Sequence, residues 1–179
     1  MTSIRTIARA LLFAAGLSVQ IHAIAQSPSL PYTLESSPDI PSITTRAQQD
    51  SVIALLSAHL GIWAAQRSAE YPYEQIVTPQ AVFEYPYAKG SARRIEGREA
   101  IAKAVGQRSQ IASDWHFGDL KLFQTAHRNV FFVAYTSTAE DAATGHLYKQ
   151  TYLARITVKD GKIDNYLELW DRGLEPAAL

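Results

Sequence analysis

The sequence predicts an α+β fold in which helices near the N-terminus pack against a curved antiparallel sheet formed by the C-terminal half. Three extended runs in the last third, residues 130–136, 147–158 and 163–171, are rich in aromatic and β-branched residues. Turn formers separate these runs, and the Asp-Gly pair at 160–161 is a strong hairpin signal because Gly tolerates the positive φ of a tight turn. Two amphipathic helical patterns lie upstream. Together these observations predict helices followed by an antiparallel meander.

Residues 1–25 have the pattern of a secretory signal peptide. Two arginines precede an apolar run from Ala10 to Val19, and an A-x-A cleavage site ends at Ala25. This run is about half the length that crosses a bilayer, so a retained membrane helix is the weaker alternative. We expect cleavage near Ala25, a periplasmic or secreted bacterial protein, and no stable membrane anchor after cleavage.

The composition of the chain excludes several kinds of partner and site. The 179 residues include 17 basic and 17 acidic side chains and no cysteine. A chain without excess positive charge lacks the electrostatic footprint that phosphate backbones require, so we expect no nucleic-acid partner. The lack of cysteine removes disulfides and thiolate ligands. Residues 26–44 are rich in proline and predict a poorly ordered linker, which leaves one domain at 45–174.

Two segments upstream of the meander have helical periodicity. From Thr45 to about Ser68, apolar residues recur at steps of three and four. These residues are Val52, Leu55, Leu56, Leu60 and Trp63. His59 lies on or next to this stripe. The second helix follows Gly97 and runs from Arg98 to about Gln107, with an apolar face of its own.

Shorter elements are predicted between and after these helices. A helical turn is expected around residues 74–77, and residues 81–88 form a strand that Pro86 restricts to an edge or a bulge. Residues 115–123 alternate between apolar and polar positions, which predicts a fourth long strand ahead of the meander.

The last strand carries the strongest indication of function. Because the side-chain period of a strand is two, Tyr166, Glu168 and Trp170 share one face. The residues at the alternate positions point to the other face: Ile163, Asn165, Leu167 and Leu169. A carboxylate between two aromatic rings favours a lined pocket, in which burial raises its pKa and makes it a usable acid or base. The alternative is an ion pair with Arg155 on the neighbouring strand.

The segments FEYPYA, RRIEGREAI, DWHFGDLKLF and TYLARITVKDGKIDNYLELWD, in this order, resemble the SnoaL-like group of the nuclear transport factor 2-like superfamily. This is the cone-shaped α+β fold of ketosteroid isomerase, and the phenazine biosynthesis A/B-like proteins look nearest. The resemblance covers about Arg46 to Asp171 and implies a homodimer with a small hydrophobic molecule in the cone. In SnoaL-type cyclases and phenazine proteins an acidic residue on the last strand works as acid or base, and it falls on Glu168. Their partner histidines fall on Ala154 and Ala104.

We therefore predict a cofactor-independent isomerase, cyclase or lyase that uses Glu168. The alternative is a non-catalytic periplasmic binding or accessory module on the same fold. Nine further side chains are expected to line the pocket: Tyr148, Gln150, Tyr152, Tyr166, Trp170, Trp63, His59, His116 and Trp115. Core packing is the competing explanation for the tyrosines and for the two lone histidines. No histidine or carboxylate spacing fits a metal site, so we expect neither a metal nor a cofactor.

Overall fold

The computed structural model describes residues 30–35, 43–65, 73–88, 93–141 and 144–171. Three α-helices, one short 3-10 helix (Ser109–Ile111) and seven strands are found there. In chain order they are β1 (Tyr32–Glu35), α1 (Arg46–Ala65), α2 (Tyr73–Ile76), β2 (Val77–Glu84), β3 (Arg94–Glu96), α3 (Arg98–Arg108), β4 (Ala112–Gln124), β5 (Val130–Asp141), β6 (Leu147–Lys159) and β7 (Lys162–Trp170). The predicted α+β class is confirmed. The predicted signal peptide lies outside the described residues.

All seven strands belong to one sheet, in the order β1-β4-β5-β6-β7-β2-β3. Strands β4 to β7 form the predicted antiparallel meander. Two pairings differ from the prediction of an antiparallel sheet, because β1 runs parallel to β4 and β2 runs parallel to β7. Parallel partners are far apart in the sequence, so no hairpin signal marks them. The short strand β3 was also not predicted.

Strand β4 shows why the sheet curls. Its pairing with β5 shifts by one residue twice, once between Ser113 and His116 and once between Gly118 and Lys121. Asp114 and Asp119, which lie in these two intervals, have φ angles of 51° and 53°. Each extra residue is a β-bulge, which bends the strand and increases its twist. The curved sheet packs its concave face against the helices and encloses the main hydrophobic core.

Thr45 and Gln48 cap the N-terminus of helix α1. The Thr45 hydroxyl accepts the Gln48 backbone N–H at 3.2 Å, and the Gln48 side chain accepts the Thr45 N–H at 2.8 Å, which is a capping box. The predicted apolar stripe is buried, apart from a half-buried Trp63. In the described part of the chain, no helix combines the length and the apolar character that crossing a membrane requires.

The turn between β6 and β7 is the one that the sequence predicted. Lys159 pairs with Lys162, which leaves Asp160 and Gly161 as a two-residue loop. Both loop residues have positive φ, 50° and 72°, as a type I′ hairpin turn requires. The Asp160-Gly161 turn, a local sequence signal, therefore fixes where β6 ends and β7 begins.

A bulge in β7 corrects one part of the predicted alternation. Val158 pairs with Ile163 and Thr157 with Asn165, so Asp164 is an extra residue. The bulge puts Ile163 in the same buried core as Tyr166, and the prediction that it faces the other side is wrong. Beyond the bulge the alternation is as predicted.

Strand β1 lies inside the segment that was predicted to be a poorly ordered linker. It pairs with residues 120–123 of β4, and the Tyr32 hydroxyl donates a hydrogen bond to Asp50 of α1 at 2.7 Å. The prediction of disorder is therefore wrong for residues 30–35, and most of the remaining linker lies outside the described residues. The prediction failed because the partner strand of β1, strand β4, is distant in the sequence.

Candidate functional site

Glu168 lies on the concave face of β7 and is 9% exposed. Its Oε2 accepts hydrogen bonds from the hydroxyls of Tyr135 on β5 and Tyr166 on β7. The two hydroxyl oxygens are 2.8 Å from each other. The three oxygen atoms are thus in mutual contact, and the described residues place no hydrogen bond on Oε1 of Glu168.

Strand register explains how Tyr135 reaches Glu168 from two strands away. On β6, Ala154 stands directly between Val133 of β5 and Glu168 of β7. Because the Ala154 side chain is a single methyl group, nothing on β6 blocks the long tyrosine side chain from the carboxylate. The small residue at this position is therefore a condition for the hydrogen-bonded cluster of Glu168, Tyr135 and Tyr166.

The environment of Glu168 acts on its pKa in two directions. Burial raises the pKa of this carboxyl, and it is the dominant effect. The hydroxyls of Tyr135 and Tyr166 oppose it by donating to the ionised form, and the positive charge of Arg108 opposes it as well. Since Oε2 already accepts two hydroxyls, we expect a proton taken up by the carboxylate to reside on Oε1. Two hydrogen bonds thus hold Oε2 in place, whereas Oε1 is the oxygen that can take up and release a proton.

The ion pair that would have given Glu168 a purely structural role is not formed. Arg155 lies on the opposite face of the sheet, 3.7 Å from Oε2 of Glu84 and 3.1 Å from Oδ1 of Asn165. Arg155 and Glu168 therefore face opposite sides of the sheet, and the alternative of an ion pair between them is wrong. No described cation forms a salt bridge with Glu168 within 4.0 Å.

Tyr85 is a member of the site that the sequence analysis did not single out. It is 2% exposed, and its hydroxyl has no hydrogen-bond partner among the described residues. A buried polar group without a partner costs about 1–3 kcal/mol of stability. The guanidinium of Arg108 lies over its ring, with Cζ 4.9 Å from the centroid, and Glu168 acts on Tyr85 through its charge.

An aromatic cluster connects Glu168 with the half-buried edge of the core. Tyr152 stacks on Tyr135 with the ring centroids 4.7 Å apart, and its hydroxyl lies 3.1 Å from Ser137 Oγ. From Tyr135 the contacts continue to Phe117 at 6.2 Å and from there to Trp115 at 5.7 Å. Trp115 in turn touches Trp63 and Tyr148. These rings form one continuous aromatic wall.

Trp170, which pairs with Tyr152 across β6 and β7, forms a second aromatic contact region. Its ring lies 6.4 Å from that of Tyr85 and 5.9 Å from that of Tyr87, which is 38% exposed. The structure thus brings seven of the nine predicted pocket residues to these aromatic contacts or next to them: Tyr148, Tyr152, Tyr166, Trp170, Trp63, His59 and Trp115.

The remaining predicted residues have other positions. Gln150 is buried, and its amide bonds to the backbone of Asp171, donating at 2.8 Å and accepting at 3.1 Å, so it holds the end of β7. His116 is exposed, on the face of β4 opposite to Trp115 and Phe117. The structure does not bring these two residues to Glu168. Sequence alternation alone could not show which strand end each would reach.

His59 is buried beside the tyrosine cluster. Its ring centroid is 5.2 Å from that of Tyr166 and 5.3 Å from that of Phe83. Burial lowers the pKa of His59 to about 4, so the imidazole is neutral at physiological pH. Its Nδ1 is 3.5 Å from the Tyr73 hydroxyl. His59 therefore packs as an uncharged core residue in contact with the site.

Tyr135, Tyr85 and Arg108 are the site residues that sequence reasoning missed. A signal existed for Tyr135, because it shares the inward alternation of β5 with Phe131 and Val133. Nothing local distinguishes Tyr85 or Arg108, since their contacts come from the packing of α3 against β2. Among the described residues, no group of three or more His, Cys, Asp or Glu side chains is arranged to hold a metal ion.

Comparison with known proteins identifies related sequences. The uncharacterized protein YesE of Bacillus subtilis (strain 168) is 32% identical over 92 residues, which are 51% of this chain and 63% of YesE. The chain therefore matches less than two thirds of the length of this relative.

Solved structures share the fold. A candidate isomerase from Bacillus subtilis superposes with a TM-score of 0.63 at 24% identity, covering 71% of this chain and 91% of that one. A nuclear transport factor 2-like protein from Anabaena variabilis superposes with a TM-score of 0.61 at 14% identity, covering 73% and 96%. Residues 57–166 match the SnoaL-like domain. The chain therefore belongs to the SnoaL-like domain family and has the nuclear transport factor 2-like fold.

Proposed function

We propose that this protein is a cofactor-independent acid–base catalyst of the isomerase or cyclase type, acting on a small hydrophobic molecule. Glu168 is the residue that accepts and returns the proton, through Oε1. The observation that carries the proposal is the setting of this carboxyl: it is buried, its pKa is raised, and Oε2 is fixed by Tyr135 and Tyr166. A carboxyl tuned towards neutral pH is well suited to proton transfer. Membership of the SnoaL-like family supports the same reaction class.

The substrate class follows from the walls of the site. Glu168 contacts Tyr135 and Tyr166. These two tyrosines adjoin further aromatic rings, which favour flat hydrophobic molecules through stacking and edge contacts. Isomerisation by proton transfer needs no oxidant, reductant or second substrate. The proton removed from one carbon is returned to another.

The alternative is a binding module without turnover. It is favoured by Ala154, the residue directly across from Glu168, because a methyl group can neither donate nor relay a proton. On this interpretation Glu168 and the tyrosines only recognise the polar part of a ligand. The two proposals differ in whether a carbon-bound hydrogen is exchanged.

Hydrogen exchange in deuterium oxide tests the difference without a known substrate. Hydrophobic ketones, among them 2-acetylnaphthalene, are incubated with the protein, and deuterium incorporation is measured by mass spectrometry. We expect the wild type to accelerate exchange and Glu168→Gln to lower the rate on the order of a hundredfold. Glu99→Gln, the same change at an exposed helix position, is the control. Equal rates in the wild type and Glu168→Gln would leave only the binding module.

We also propose that the protein is exported and acts in the periplasm or outside the cell. The support is the basic start, apolar run and A-x-A site of residues 1–25. Mass spectrometry of the protein isolated from a bacterial periplasm is expected to find an N-terminus at or near Gln26. An intact Met1 in that fraction would contradict export by cleavage.

A further inference from the structure

Gln150 is a buried polar residue that the proposed reaction does not use. It is 2% exposed, and its side chain shares the inward alternation of β6 with Tyr148 and Tyr152. Burial of an amide costs free energy unless the amide is hydrogen-bonded, and fixing a glutamine side chain also costs conformational entropy. A leucine could fill the same space without either cost. The hydrogen bonds that Gln150 makes therefore indicate its role.

These hydrogen bonds extend the pairing of β6 with β7 by one step. The last backbone pair of the two strands joins Tyr152 to Trp170, the residue at which β7 ends. Beyond it, Nε2 of Gln150 donates to the Asp171 carbonyl at 2.8 Å, and Oε1 accepts the Asp171 N–H at 3.1 Å. Two bonds to the N–H and C=O of one residue reproduce a hydrogen-bonded pair of an antiparallel ladder. A side chain thus takes the place of a strand backbone.

A third hydrogen bond fixes the amide of Gln150 on its own strand. Its Oε1 also accepts the backbone N–H of Thr151 at 2.8 Å. An amide oxygen has two acceptor positions, so both are used, and β6 sets the orientation of the amide. The backbone at a strand end opens easily, because little free energy opposes fraying there. We expect the Gln150 clamp, which is this side chain with the backbone of Asp171, to prevent such opening next to Trp170.

Trp170 is the side chain whose position the Gln150 clamp determines. It is half-buried, and its ring contacts both Tyr85, which is buried, and Tyr87, which is 38% exposed. Trp170 shares its face of β7 with Glu168 two residues away, a spacing of about 7 Å along a strand. The indole therefore links the neighbourhood of the carboxyl with the protein surface.

We propose that Gln150 is a positioning residue, which holds the Trp170 indole as a wall that limits the length of a hydrophobic ligand beside Glu168. This inference rests on the small-molecule site of the proposed function and adds the residue that decides which molecules fit, whether or not turnover occurs. A fixed indole offers its face or edge to a flat ring but obstructs a chain that extends past it. One methylene group in a hydrophobic pocket is worth roughly 10- to 200-fold in discrimination, so a displaced wall has a measurable effect.

The first test compares two ketones with the same ring system. 2-Acetylnaphthalene has a short acyl chain, 2-hexanoylnaphthalene has a long one, and their binding is measured by equilibrium dialysis. We expect the wild type to prefer the short ketone, and Gln150→Leu to shift the ratio of the two affinities towards the long ketone roughly tenfold or more. Gln107→Leu, the same change at an exposed helix position, is the control. An unchanged ratio in Gln150→Leu would overturn the inference.

A double-mutant cycle shows whether Gln150 acts through Trp170. Trp170→Ala removes the wall itself and is expected to shift the ratio in the same direction. If Gln150 only positions this indole, adding Gln150→Leu to Trp170→Ala should change the ratio no further. A glutamine with a merely structural role would not produce this dependence. Shifts in the ratio that add up in the double variant would overturn the inference.

Asp171→Pro tests the Gln150 clamp without altering a buried side chain. Proline has no backbone N–H, so this variant loses the hydrogen bond to Oε1 of Gln150, whereas Asp171→Ala keeps it. Because Asp171 is exposed, this pair remains informative even if Gln150→Leu does not fold. The fluorescence of Trp170 is obtained by subtracting the signal of the same variant with Trp170→Phe. We expect acrylamide to quench it more strongly in Asp171→Pro than in Asp171→Ala, and equal quenching would overturn the inference.

The two proposals fail in different ways. A preference for chain length that shifts in Gln150→Leu, without deuterium exchange in the wild type, supports the role of Gln150 and removes catalysis. Exchange that depends on Glu168, with the same preference for chain length in the wild type and in Gln150→Leu, supports catalysis and removes the role of Gln150.

Discussion

Ala154 lies directly opposite Glu168 in the pairing of β6 with β7. Its methyl group leaves the space through which Tyr135 reaches the carboxylate from β5. The properties of Glu168 therefore depend on a residue that has no chemistry of its own.

Enlarging this residue is expected to separate Tyr135 from Glu168. Ala154→Leu adds three carbons at a position that is 0% exposed, and overpacking of this kind typically costs about 1–3 kcal/mol. We expect the variant to fold with lower stability and to lose the deuterium exchange attributed to Glu168. Ala134→Leu, on the outer face of β5, is the control and is expected to retain the exchange. Full exchange in Ala154→Leu would show that the Tyr135 contact is dispensable.

The raised pKa of Glu168 predicts a specific dependence of stability on pH. The pKa of the carboxyl is about 4.5 in the unfolded chain and higher in the folded protein. Its contribution to the free energy of unfolding is therefore fully present below the unfolded pKa and is lost as the pH rises through the folded pKa. Denaturant titrations across this range should show the loss in the wild type and not in Glu168→Gln. Glu99→Gln should behave as the wild type does.

Removing the Tyr135 hydroxyl should shift the pH range in which the stability contributed by Glu168 is lost. Tyr135→Phe deletes a donor that favours the ionised form, so we expect the pKa of Glu168 to rise further and the loss of stability to occur at higher pH. A profile that moves to lower pH would contradict the assigned direction of this hydrogen bond.

His59 predicts a pH dependence of opposite sign. Its pKa falls to about 4 in the folded protein, compared with about 6.5 in the unfolded chain. The unfolded state therefore gains a proton first, and we expect the free energy of unfolding to fall by about 3 kcal/mol as the pH drops from 6.5 to 4. His59→Gln should abolish this component, with His116→Gln at an exposed position as the control. A wild type whose stability does not fall in this interval relative to His59→Gln would refute the burial of a neutral imidazole.

The outer face of the sheet predicts a homodimer. Phe132 and Leu153 are 37% and 41% exposed; Leu153 pairs with Leu169, while Phe132 and Leu167 pair with Arg155 from either side. Exposed apolar residues on a sheet face are typical of an interface. We expect a dimer by light scattering at micromolar concentration and a monomer for Leu153→Glu. Leu147→Glu, at an exposed leucine near the end of β6, is the control. A monomeric wild type would exclude this interface.

Local signals in the sequence were sufficient for the meander and for the orientation of Glu168. The Asp160-Gly161 turn sets the start of β7, and regular alternation from Asn165 onwards places Glu168 beside Tyr166 and Trp170. The same reasoning failed at Asp164, because the bulge is tied to β2 by a 2.7 Å hydrogen bond from Thr78, a residue far away in the sequence. Tyr85 was missed for a related reason, since its burial depends on how α3 packs against β2.

The pairing of strand β1 with β4 affects how the protein is expected to behave in solution. A sheet edge exposes unpaired backbone groups that can recruit a strand from another molecule, and such pairing leads to aggregation. Strand β1 covers the edge of β4 at residues 120–123, and the contacts of Leu30 with Ser57 and of Tyr32 with Asp50 attach it to α1. Cleavage near Ala25 would leave this cover attached, whereas a chain shortened to residue 45 would present β4 to other molecules. Residues 32–35 are therefore expected to protect this part of the sheet edge against strand addition.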